Sequence, residues 1–99
     1  MYDSKLKSGD MDKLFAAILT METVEECYML FEDLCTISEL HSISQRLKVA
    51  SLLKEGHTCH DISETTGAST ATISRVNRCL HYGAGGYELA LARMDNQED

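Results

Sequence analysis

An all-α fold is predicted for this chain. Its 99 residues contain no proline and only six glycines, four of them within residues 67–86, so signals that interrupt helices are scarce. Apolar residues recur at i, i+3, i+4 spacing along most of the length. The pairs Thr23/Glu26 and Thr36/Glu39 have the capping-box form that opens helices.

In chain order, Met11, Leu14, Phe15, Ile18 and Leu19 predict a first helix over 10–21, with Asp10 as N-cap. Thr23 caps a second helix to about residue 35, whose stripe is Val24, Cys27, Tyr28, Phe31, Leu34 and Cys35. Thr36 opens a third stripe to about residue 54: Ile37, Leu40, Ile43, Leu47, Ala50 and Leu53. That run is one long helix or a short and a longer one parted at His41–Ser42. Gly56 closes it as a C-cap residue. Thr58 then caps a short helix over 59–65, with Asp61 in its first turn and Ile62 as its apolar anchor. Gly67 ends that helix, and Ser69 or Thr70 caps the next, which runs to about Tyr82. Gly83-Ala84-Gly85-Gly86 is a break. Tyr87, Leu89, Ala90, Leu91 and Met94 predict a last short helix before a frayed acidic tail, 95–99.

The length predicts a single domain, residues 1–99. No run of 18 apolar residues exists, and the opening MYDSKLKSGDMDK lacks an apolar core, so the expectation is a cytoplasmic protein with no membrane partner. Cys27, Cys35, Cys59 and Cys79 fit no CxxC pattern and read as reduced thiols packed as small hydrophobes. His57 and His60 flank Cys59, but structural zinc uses short-spaced ligand pairs twice over, so no metal is expected. Glu25-Glu26 and Glu32-Asp33 read as a solvated helix face, and none of the four histidines adjoins a nucleophile motif. GAGG lacks the lysine and the preceding strand of a phosphate loop. The chain is not expected to be an enzyme or to need a cofactor.

Residues 59–78 have the layout of a helix-turn-helix. Ile62, Gly67, Ile73 and Val76 stand at its fourth, ninth, fifteenth and eighteenth positions. Glycine permits the sharp turn, and the three apolar residues lock the two helices at a fixed angle. Ser69, Thr70, Thr72, Ser74, Arg75, Asn77 and Arg78 are the polar positions of the second helix. Serine and threonine are mediocre helix formers, whereas an ordinary solvent face favours Glu, Lys and Gln. The charge pattern is equally uneven. The chain carries −7, residues 1–43 hold nine acids against three lysines, and no acid lies between 65 and 87. Small hydroxyl residues that let a helix enter the major groove, with arginines behind them for phosphates, fit DNA reading better than a core-packed helix does.

SQRLKVASLLKEG leading into TCHDISETTGASTATISRVNRCLHYGAGGY resembles the YerC/YecD family of tryptophan-repressor-like proteins over roughly residues 10–90. The resemblance implies about six helices in an intertwined homodimer: N-terminal dimerisation helices over 10–55 and a helix-turn-helix over 58–82. It implies a transcriptional regulator of the repressor type that binds double-stranded DNA. On it, Thr70, Ala71 and Ser74 face base edges, and His60 and Ser63 on the preceding helix approach the DNA backbone or bases. Ser69 and Thr72 join them as candidate DNA-binding residues, and Lys48, Lys54, Arg75 and Arg78 are the cations available to phosphates. Arg75, with Arg46 (or Gln45, one residue away) and Cys79, matches the residues around the corepressor of the tryptophan repressor. Val76 replaces a glycine there and should crowd a flat indole, so tryptophan is not expected to bind. The alternatives are an acidic helical interaction protein without DNA and a small-ligand sensor on the same fold.

Overall fold

The structure is a computed structural model and describes residues 2–97. Among the described residues it has six helices and no strand: α1 (Gly9–Leu19), α2 (Val24–Leu34), α3 (Ile37–Lys54), α4 (Cys59–Thr66), α5 (Thr70–Tyr82) and α6 (Gly86–Gln97). The all-α expectation is met, and the differences lie at helix ends. Ser8, not Asp10, caps α1: its Oγ accepts from the Met11 amide at 3.1 Å, and Asp10 and Asp12 fall in the first turn. An expectation anchored on the first apolar residue, Met11, starts the helix too late and misses Gly9 at its first position. α3 passes His41–Ser42 without a break, and both residues are exposed there. α6 continues through Asp95–Gln97, which were expected in a frayed tail, since no glycine or proline stops it. Glu98 and Asp99 lie outside the described residues.

The capping boxes form differently. At α3 the box is reciprocal: the Glu39 amide donates to Thr36 Oγ1 at 3.1 Å and the Thr36 amide to Glu39 Oε1 at 2.8 Å. At α2 the Glu26 amide donates to Thr23 Oγ1, but the Glu26 carboxylate accepts from Glu22, one residue further back. α3 ends in a Schellman motif. Gly56 has φ 93°, its N–H donates to Leu53 O, and the His57 N–H donates to Leu52 O.

The chain divides within α3 into two compact units, Met1–Leu40 and His41–Asp99. In the first, no residue of α1 or α2 is buried, and Leu19, Val24, Tyr28 and Ile37 are 64–84% exposed. In the second, Val49, Ala50 and Leu52 of α3 meet Ile62, Ala68, Ile73, Val76 and Leu91 in one core. Leu47, Leu53, Leu80 and Tyr87 pack around it. None of the described helices is long and apolar enough to cross a membrane.

Two outcomes are expected. Ile62 is fully buried, so Ile62→Ala should lose about 2–5 kcal/mol by denaturant unfolding, a large share of the stability of so small a core. The Thr36 amide, and after it the Thr36 hydroxyl, hold the exposed Glu39 carboxyl below its ordinary 4.5. A lowered native value means the box stabilises above pH 4.5 and loses that effect as pH falls through the lowered value. Glu39→Gln should therefore lower Tm near neutrality, and the gap to the unmodified protein should close as pH falls below 4.5 and through the lowered value.

Candidate nucleic-acid interface

α4 and α5 are joined by Gly67-Ala68-Ser69. Gly67 has φ 75°, a left-handed conformation that a side chain resists, and its N–H donates to Ser63 O at 2.9 Å. Side chains close the rest of the turn. Thr66 Oγ1 donates to Ile62 O at 2.7 Å and accepts from the Ala68 amide at 3.1 Å. Ser63 Oγ donates to Ala68 O at 3.0 Å. Beneath the turn, Ile62, Ala68, Ile73 and Val76 are at most 2% exposed. The expected lock of Ile62, Ile73 and Val76 is formed, with Ala68 as an unforeseen member.

Thr58 and Ser69 cap the two helices through their hydroxyls. Ser69 Oγ accepts from the Thr72 amide and donates to Thr72 Oγ1, both at 3.1 Å, which commits Thr72 to the cap. Thr72 and Ser63 are half-buried, so these two candidate residues hold the turn. Thr70, Ala71, Ser74, Arg75, Asn77 and Arg78 are exposed. They form two adjacent ridges on α5, one of Thr70, Ser74 and Asn77, the other of Ala71, Arg75 and Arg78. Asn77, a polar position of the helix, stands with the expected contacts on the same outer face.

Charge sharpens this face. α5 has no acidic residue in its first turn, and among the described residues neither arginine enters an ion pair. Three further candidates differ. Lys54 Nζ lies 3.8 Å from Glu88 Oε2, an exposed and weak pairing that a phosphate can displace. His60 Nε2 lies 3.3 Å from Glu64 Oε1 on α4, with both groups largely exposed. Arg46 is half-buried on α3, where its neighbour Gln45 reaches the helix-turn-helix: Gln45 Nε2 donates to Thr66 O at 3.2 Å.

The candidate ligand residues are only partly brought together. A groove of about 420 Å³ is lined by Arg75, Arg78, Cys79, Tyr82 and Gly83, and Arg46 is not among them. Val76 points into the core. Cys59 and Cys79 are exposed and Cys27 and Cys35 half-buried, so the thiols are less deeply packed than expected. Cys59 opens α4, and Cys79 sits on the outer ridge one turn after Arg75. Among the described residues no three His, Cys, Asp or Glu side chains form a metal-binding group. Gly83 closes α5, and a Cβ there would collide with Cys79 O, so glycine is required where the chain leaves the helix.

Comparison with known proteins agrees with this geometry. The family model for the Trp repressor protein matches residues 9–95. The uncharacterised protein YerC of Bacillus subtilis (strain 168) is 54% identical over 98 residues, spanning 99% of this chain and 94% of its own. Two crystal structures superpose with a TM-score of 0.89: a Trp repressor-like protein from Staphylococcus aureus and a TrpR-like protein from Eubacterium eligens. The first is 53% identical over 92% of this chain and 91% of its own, the second 52% identical over 94% and 96%. The chain belongs to the Trp repressor family.

Proposed function

We propose that this protein is a homodimeric, sequence-specific DNA-binding transcriptional regulator. The observation that carries the reading is the outer face of α5, where Thr70, Ala71, Ser74, Arg75 and Arg78 stand exposed on a helix without an acid. A helix entering the major groove needs small side chains at its leading end and cations where its flanks meet phosphates. The helix N-terminus adds free amides favourable to an anion. Exposed Leu19, Val24, Tyr28 and Ile37 supply the apolar surface for a second copy of the chain. A two-fold pair of heads then addresses half-sites roughly 34–36 Å apart.

No tryptophan is needed in this reading. Val76 is 1% exposed in the core, at the position the tryptophan repressor gives to glycine, and it packs the two helices with its own side chain. A small-ligand sensor is the second reading, favoured by the groove beside Arg75. All of that groove's lining comes from α5 and its C-cap, so it encloses a ligand poorly.

The test is selection of bound duplexes from a random pool at two salt concentrations. A palindromic site whose binding constant falls steeply with salt is expected. No enrichment at low salt would contradict the reading. On the selected site, Arg78→Ala should weaken binding to every duplex and reduce the salt slope by about one per subunit. Thr70→Ala should instead alter preference at one base position by about 1–3 kcal/mol. Equal losses on all sequences for both variants would overturn these roles.

A further inference from the structure

We infer that Gln45 is a positioning residue that sets the angle of the reading head on α3; this rests on the function proposed above. Three observations carry it. The helix-turn-helix is stiff within itself: the Gly67 turn is closed by the Ser63 and Thr66 hydroxyls and sealed beneath by Ile62, Ile73 and Val76. Its seat on α3 is apolar and partly small: Val49, Ala50 and Leu52 share one buried core with Ile62 and Ala68. Such packing is strong but non-directional, so it tolerates a small slide or rotation. One directional contact crosses that seat. Gln45 Nε2 donates to Thr66 O, a carbonyl of the last turn of α4 that the helix itself leaves without a partner.

Among the described residues, every other side-chain hydrogen bond spans five positions or fewer, whereas this one spans 21. The atom it grips lies immediately before Gly67. A change in that grip therefore swings α5 as a body. In a dimer the two heads must match two grooves at once, so a small swing alters the half-site separation that fits. Gln45 acts through position, without touching DNA.

The test uses the full chain and the duplex selected by the unmodified protein. Gln45→Met keeps length and bulk and removes the donor, and Gln45→Glu sets a carboxylate against the carbonyl. Each is measured on the selected duplex, on versions with the half-sites moved one base pair closer or further apart, and on a random duplex. Leu53→Ala, at the edge of the same core, is the control for general destabilisation. The expected result for Gln45→Met is a loss of about 5-fold per subunit, about 30-fold for the dimer, on the selected duplex. Random-duplex affinity should stay within about 2-fold, and the preference among spacings should flatten. Leu53→Ala should lower Tm and leave the spacing preference intact. An equal loss on all duplexes, or an unchanged spacing preference, would overturn the role of Gln45 and leave DNA reading standing. Failure of the unmodified protein to select any duplex would overturn both.

Discussion

Ile62, Ile73 and Val76 are each at most 2% exposed beneath a left-handed Gly67, and the angle between α4 and α5 depends on that contact. The rest of the second unit is arranged around it. α3 supplies the floor through Val49 and Ala50, and α6 closes one side through Leu91. Because these side chains face inward, α5 is free to carry small and polar residues outward from Thr70 to Arg78. The helix does not rest on its own propensity, which threonine and serine make poor. It is held by burial on one side, capped by Ser69, and ended at Gly83.

Electrostatics then separates the units. The chain is acidic as a whole, and its first 43 residues hold nine of the 16 acids. A strong net negative charge discourages loose association with polyanions. Against that background the proposed function rests on one acid-free helix whose two arginines enter no ion pair among the described residues, a focused feature rather than a basic surface. The first unit presents the complementary problem, apolar stripes on α1 and α2 that no residue of the described chain fully covers. Acids and exposed apolar groups on the same short helices suit a surface that must bury one face and solvate the other.

Much of this was legible in the sequence because local rules carry it. Thr23, Thr36, Thr58 and Ser69 announce helix starts through their hydroxyls, and Gly56 and Gly67 announce ends through positive φ. The spacing of Ile62, Gly67, Ile73 and Val76 is local enough to read without a fold. Three things were not legible. Ser8 lies outside the apolar stripe, so nothing periodic pointed to it. Ser63 and Thr72 look like outward polar residues until the turn closes on their hydroxyls. Gln45 meets Thr66 across 21 positions, a contact that no local pattern encodes. The resemblance named Arg46, or Gln45 one residue away, only as a ligand residue, whereas the rotation of α3 aims Gln45 at the turn.

If DNA lies on the outer face of α5 as proposed, the most direct measurement is an amide chemical-shift titration of the isotope-labelled protein with the selected duplex. The largest changes should fall at Gly67 and from Ser69 to Arg78, with α1 and α2 little affected. Changes concentrated in α1 and α2, with α5 silent, would contradict it.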